Sequence, residues 1–327
     1  MNSKPNPELM WRHRSLSHFA HCPIIAVVGP TATGKTSISI ALAKAFQTEI
    51  ISADSQLVYQ GLDIGTAKPT FKEREGIVHH LIDCVSPEET FTVEQYTQTA
   101  QEILNQFTET PKPLIITGGT GFYLRALLEG IQLPGIPPNP DFRKSVENKT
   151  NKELYLHLQT QDSDRASTLS ENDRPRIIRA LEIIDATGQP VPKVKEMPNP
   201  HPVLWIGLNY SNRDEHRHLI DQRIEAMLKA GWLAEVEQLM TRFGDDAHAL
   251  TVAHGYPEWI QYIQGNLTYE QALSQVQLNI HQYARRQRTW FRRNSAIHWY
   301  DRSTNSPEQI QLQIDKQCHD WLGSGCM

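Results

Sequence analysis

The chain of 327 residues carries four cysteines (Cys22, Cys84, Cys318 and Cys326), no two of them in a C-x-x-C pair. This gives no support to a zinc site or a disulfide framework and fits a reducing compartment, so a cytoplasmic setting is expected. No apolar run approaches the roughly 20 residues that span a bilayer as a helix. The first 21 residues hold Arg and His but no apolar core, which reads as a flexible tail rather than a secretory signal. An Asn-Lys-x-Asp element is also missing, which weakens any regulatory GTPase reading. The net charge of −5 gives no reason by itself to expect nucleic acid, whereas local charge does. The length fits two domains, or one large core with an inserted module.

What is present starts with Gly29-Pro30-Thr31-Ala32-Thr33-Gly34-Lys35-Thr36, between the apolar run 24–28 and a helical pattern over 37–46. This is G-x-x-x-x-G-K-[ST] in its strand–loop–helix context, a P-loop. Glycines let the backbone turn tightly and point N–H groups at an anion, and the helix start adds positive potential. Lys35 brings a mobile charge, and the Thr36 hydroxyl can join the shell of a magnesium ion. A phosphate chain is expected to bind here.

The run 49–55 reads as a second short strand, ending at Asp54 and Ser55. In an open parallel sheet, ligands collect at the carboxyl ends of strands, so Asp54 is expected beside the P-loop. His79 and His80 precede a short apolar run, where a structural role and a ligand role both stand open. The buried strand at 113–117 ends in Gly118-Gly119-Thr120-Gly121, where P-loop enzymes that transfer phosphate place a magnesium-holding Asp. Proline-rich joints near 133–140 and 189–202 flank a helical stretch. The expected fold is therefore α/β: a P-loop NTPase-like core with a parallel sheet and helices on both faces, plus an inserted small helical domain. The expected boundaries are a tail at 1–21, a core of 22–132 with 200–302, an inserted module at 133–199, and a C-terminal tail at 303–327. Thr268 with Gln271 resembles a capping box opening a last long helix. That helix runs into Arg285–Arg293, with five arginines in nine positions, no acid and interleaved aromatics. Arg285, Arg288 and Arg292 share a helical stripe. A solvated basic helix end and a surface for RNA phosphates both fit this pattern.

Several signatures occur together and in order: the P-loop, Asp54-Ser55 with Tyr59, the run 63–69, Gly118-Gly119-Thr120-Gly121, Asn172-Asp173 leading to Arg179, and the arginine run from Ala284. Over about 22–302 the chain resembles the tRNA isopentenyltransferase family. That resemblance implies transfer of a dimethylallyl group from dimethylallyl diphosphate to N6 of adenosine 37 in tRNA, by a monomer using Mg2+. It implies that 29–36 grips the diphosphate with Arg223 as a further clamp, and that Thr36 helps to place the metal. Lys35 would stabilise the leaving group, Asp54 would be the general base, and Thr120 would orient Asp54 or the adenine. It also implies tRNA contacts from Asp54, Ser55, Gln56, Leu57, Thr120, Arg143, Pro175, Arg176, Ile177, Ile178 and Arg179, with the basic helix (Arg285, Arg288, Arg292) lying along phosphates. At 251–256 the chain reads Thr-Val-Ala-His-Gly-Tyr without the arginine many relatives carry, so no RNA contact is assigned to Val252.

Two rivals remain. An enzyme prenylating free adenine nucleotides would need the same P-loop and base, but neither the module at 141–188 nor the arginine helix. A small-molecule kinase would need a conventional magnesium aspartate.

Overall fold

The computed structural model describes residues 21–108, 112–132, 134–193, 195–196 and 199–324. Residues 1–20 of the expected tail at 1–21, Leu133 and Cys326 lie outside those residues. The described residues form two compact units, one within 1–129 and 199–327 and one within 130–198.

The first unit begins with β1 (Ile24–Val28), α1 (Lys35–Phe46), β2 (Ile50–Ser52), β3 (His79–His80), α2 (Val93–Gln106), β4 (Leu114–Gly118) and α3 (Gly121–Leu128). The second unit holds β5 (Ile131–Gln132), α4 (Pro140–Ser145), α5 (Asn151–Gln161), α6 (Ser163–Ser167), α7 (Arg174–Thr187) and β6 (Lys195–Glu196). The first unit resumes with β7 (Val203–Asn209), α8 (Arg213–Lys229), α9 (Trp232–Phe243), α10 (His248–Val252), α11 (Tyr256–Ile263) and α12 (Tyr269–Phe291). It closes with β8 (His298–Asp301) and α13 (Pro307–Gly323).

Six strands form one sheet in the order β3-β2-β4-β1-β7-β8, and every pairing is parallel. Side chains alternate across a strand, so β1 serves two cores at once. Ile24, Ala26 and Val28 pack with Tyr96, Ala100 and Leu104 of α2 and Leu124 and Leu127 of α3. Ile25 and Val27 pack with Ile38, Leu42 and Phe46 of α1, and with Ile310, Ile314 and Cys318 of α13. Helices on both faces leave the carboxyl ends of the strands to carry the site.

The stretch expected to be a C-terminal tail is instead α13. Ser306 caps it through a reciprocal bond pair with Gln309, and Pro307 sits in its first turn. Ile310, Ile314 and Cys318 recur every four residues, and all three are buried against the sheet. The capping box at Thr268 forms as expected and opens α12. A third core joins α8 to α12 around Trp232, Tyr256 and Trp259. The break between α8 and α9 falls at Gly231, whose φ of 102° lies in the left-handed region. Among the described residues, no helix is long and apolar enough to cross a membrane.

Candidate active site

Beyond β1 the chain turns at Gly29 (φ 143°), where a Cβ would lie 2.3 Å from the Leu208 carbonyl oxygen. Only glycine allows the loop to pass β7 that closely. The loop closes on itself: Thr33 Oγ1 donates to Pro30 O at 2.9 Å and Lys35 Nζ donates to the same oxygen at 2.7 Å. No side chain caps the start of α1, so its first N–H groups are left for an anion. Burial lowers the Lys35 pKa to about 8, with Asp54 opposing the shift and Arg223 adding to it.

Distant residues hold this loop. Gln287 of α12 is buried; its Oε1 accepts from Thr31 N at 2.8 Å and its Nε2 donates to Gly119 O at 3.0 Å. His216 of α8 donates from Nε2 to Thr31 O at 2.9 Å, which leaves Nδ1 to accept from Arg288 at 2.9 Å. Burial pushes the His216 pKa down to about 4, and Arg288 and Lys35 add to the effect. Arg302, just after β8, donates to Thr33 O at 3.3 Å. None of Gln287, His216 and Arg302 carries a motif that names its partner in the P-loop or at Gly119, because each of those partners lies 168 or more residues away.

The second wall is the end of β2. Gly118 permits the chain leaving β2 to pass close to the end of β4, since a Cβ there would meet Ala53 O at 2.1 Å. Asp54 Oδ1 accepts from Gln56 N at 3.0 Å. Thr120 Oγ1 accepts from Ser55 N at 2.9 Å and donates to Ser55 Oγ at 3.2 Å. Among the described residues Thr120 bonds Ser55 and not Asp54, so it fixes the turn that carries Asp54. Arg223 of α8 is half-buried, with NH1 3.4 Å from Thr31 Oγ1. Burial lowers its pKa, and Asp54 and Glu73 oppose that shift.

These groups share one cavity. Its wall includes 31–36 of the P-loop with Asp54, Gln56, Arg223, His254 and Tyr283, and an apolar part formed by Leu57, Ile220, Ile224, Met227 and Ile280. His79 also faces it, but its Nδ1 is bonded to Ile77 O at 2.9 Å, and His80 pairs with Glu49 at 2.5 Å. No cluster of three or more His, Cys, Asp or Glu suited to a metal occurs among the described residues. The structural reading of the two histidines is the one these contacts favour.

The expected RNA-contacting residues divide between the units. In the second unit Arg143 grips Glu182 with two bonds of 2.6 and 3.1 Å, and Arg179 reaches the same carboxylate at 3.1 Å. The Glu182 side chain is 0% exposed, so both arginines neutralise a buried charge. Arg179 also donates to the Ile136 carbonyl, and Asn139 N donates to Glu182. Ile177 is fully buried and Ile178 packs against the same core, which makes the Ile177 side chain structural. Pro175 and Arg176 are exposed, with Arg176 paired to Asp173 at 3.1 Å. In the first unit Arg285, Arg286, Arg292 and Arg293 are exposed. Arg288 departs from the expected stripe: it is half-buried, bonded to His216, and lowered to about 10 by burial and its arginine neighbours.

Comparison with known proteins agrees over most of the chain. A family model described as IPP transferase matches residues 57–294. The tRNA dimethylallyltransferase of Acaryochloris marina is 41% identical, over 91% of this chain and 99% of its own length. That of Thermomicrobium roseum is 40% identical, over 93% and 94%. The crystal structure of the full-length tRNA isopentenylpyrophosphate transferase of Bacillus halodurans is 34% identical, covers 93% of this chain and 97% of its own, and superposes with a TM-score of 0.71. A eukaryotic dimethylallyltransferase described as acting on tRNA, 23% identical and covering 93% of this chain and 85% of its own, shares the fold at a TM-score of 0.70. A P-loop facing the Asp54 turn across one half-apolar cavity, a family model covering more than two thirds of the length, and relatives near 40% identity lead to one placement: the chain belongs to the IPP transferase family.

Proposed function

We propose that this chain is a tRNA dimethylallyltransferase, which moves the dimethylallyl group of dimethylallyl diphosphate to N6 of adenosine 37 and releases diphosphate. The observation that carries the reading is one cavity holding Lys35, Arg223 and Asp54 beside the apolar side chains of Ile220, Ile224 and Met227. A kinase site would need a polar floor for its acceptor and a strand carboxylate for magnesium. Here β4 ends in Thr117-Gly118 and runs on into Gly119 with no carboxylate, and the apolar wall suits a five-carbon unit.

The chemistry follows from where charge develops. As the allylic C–O bond breaks, negative charge grows on the departing diphosphate. Lys35, Arg223 and the uncapped first turn of α1 line the cavity in which that charge develops and can stabilise it. N6 attacks the allylic carbon, the C–N bond forms, and the surplus proton passes from nitrogen to the Asp54 carboxylate. Leu57 and Ile224 keep water from competing for the allylic carbon. The donor set also fits a magnesium ion. Thr36 supplies one exposed hydroxyl, and among the described residues no carboxylate trio is at hand, which suits an ion held chiefly by substrate oxygens and water. When bound, such an ion supplies charge neutralisation to the leaving diphosphate.

For the acceptor, exposed Arg285, Arg286, Arg292 and Arg293 offer charge for RNA phosphates. Arg143 and Arg179 contribute there only with what their bonds to Glu182 leave free. A monomer in the cytoplasm completes the proposal. The test incubates the protein with labelled dimethylallyl diphosphate and either an anticodon stem-loop or AMP, and separately with ATP. Label on the stem-loop is expected. Label on AMP alone, or rapid ATP hydrolysis with no prenyl transfer, would replace this reading with one of its rivals.

A further inference from the structure

We propose that His254 contacts the target base directly, offering one donor and one acceptor nitrogen to the purine edge and so setting which purine the site accepts. The inference rests on the reading of the cavity as an adenosine prenylation site.

His254 lines the same cavity as Asp54. Among the described residues neither of its ring nitrogens has a hydrogen-bond partner, and neither is sealed from the cavity. Its neighbours differ. His216 uses Nε2 on Thr31 O of the P-loop and Nδ1 on Arg288, and His79 spends Nδ1 on Ile77 O. A half-buried imidazole whose two nitrogens have no protein partner, on the wall of the substrate cavity, is free to hydrogen-bond a ligand there.

The ring is also held in place. It lies on the Tyr283 ring with centroids 4.1 Å apart and planes inclined by 46°. Ala253 before it is buried. Gly255 after it has φ 91°, and a Cβ there would strike the Trp232 ring at 2.3 Å. The backbone on either side of His254 therefore has little freedom to turn the ring away.

Its charge state matches a base and not a diphosphate. Burial lowers the His254 pKa to about 4; Arg286 adds to this and Asp54 opposes it. At neutral pH the ring is uncharged, with one N–H and one lone pair. A neutral ring beside a carboxylate is a poor anion site, and the cations that suit a diphosphate are Lys35 and Arg223. A purine edge alternates acceptors with an amine, and a neutral imidazole complements such an edge.

The experiment uses anticodon stem-loops carrying adenosine, 1-deaza-, 3-deaza- or 7-deazaadenosine at the target position. The wild type, His254→Phe and His254→Gln are compared with saturating donor. Phenylalanine keeps the ring against Tyr283 and removes both nitrogens; glutamine restores a donor and an acceptor. The wild type is expected to lose about 3–10-fold in kcat/KM with at least one deaza analogue, the range of one neutral hydrogen bond. His254→Phe should show that loss with adenosine itself and lose nothing more with that analogue. His254→Gln should recover part of the discrimination, and donor affinity should stay unchanged in both variants. A His254→Phe protein with wild-type rate and wild-type discrimination would overturn the inference, as would a loss confined to donor affinity. If the wild type modifies no stem-loop, the proposed function fails first and this inference fails with it.

Discussion

Arginine does different work in the two units. In the second unit, Arg143 and Arg179 are committed to Glu182, a carboxylate with no exposed surface, and tie the 136–139 segment to α7. At the end of α12, Arg285, Arg286, Arg292 and Arg293 project into solvent, while Arg288 turns in to His216 and through it reaches Thr31. A basic residue in a tRNA-modifying family invites one interpretation, phosphate contact. The partners sort the same residue type into structural pins, a P-loop support and free surface charge. Removing a pin should change stability, removing a support should change donor handling, and removing a surface arginine should change only salt-dependent RNA binding.

The largest expected effect belongs to neither arginine group. It fixes the scale for the others. Asp54→Asn keeps the turn, because an amide oxygen can still accept from Gln56 N, but it cannot take the N6 proton. Single-turnover transfer should fall by about 10²–10⁴-fold with RNA affinity kept within a few-fold. Near wild-type transfer would assign the base to another group.

Lys35 should give the next largest signal. Its pKa of about 8 in the free protein means that the ammonium is present below that pH and lost above it. The donor kcat/KM should then fall by up to about tenfold per pH unit on the alkaline side, with an inflection near 8. Bound diphosphate favours the charged form, so the inflection in kcat should lie higher. A profile flat to pH 10 would show that Lys35 does not govern donor capture.

Gln287→Glu tests the support from α12. The carboxylate still accepts from Thr31 N but cannot donate to Gly119 O, and it adds a charge next to the diphosphate site. Donor KM should rise by about tenfold or more, while the salt dependence of RNA binding stays the same. An unaltered donor KM would mean that the P-loop holds its shape without α12.

The smallest effects separate the two arginine groups. Arg143→Ala should cost about 1–3 kcal/mol of stability, less than a fully buried pair because Arg143 is itself half exposed. Arg285→Ala should leave melting unchanged and reduce the salt slope of RNA binding by about 0.7–0.9. If Arg143→Ala altered only the salt slope, the distinction between pin and surface charge would collapse.

Legibility in the sequence followed the range of the contacts. The P-loop, the strand before it and the helix after it are local, and 29–36 carries the full spacing. Asp54 was placed by the rule that strand ends gather ligands, and it lines the cavity with Lys35. The Thr268 capping box was readable because both halves lie within four residues. Gln287 was not readable as a P-loop support, since it meets Thr31 across 256 positions and lies in a run dominated by charge. The Glu182 cluster was hidden for the same reason: a carboxylate on a helix gives no sign that it is buried. α13 is the opposite case: its Ser306–Gln309 box and its spacing of Ile310, Ile314 and Cys318 are local, but they sit in a largely polar run whose burial depends on contact with the distant strands.

The central claim is that prenyl transfer to one adenosine takes place in the P-loop cavity. Nucleoside mass spectrometry on a stem-loop after single turnover with dimethylallyl diphosphate tests it most directly. One N6-dimethylallyladenosine per RNA, located at adenosine 37 and matched by one released diphosphate, is the predicted result. An unmodified stem-loop with intact donor, under conditions where both substrates bind, would contradict the account.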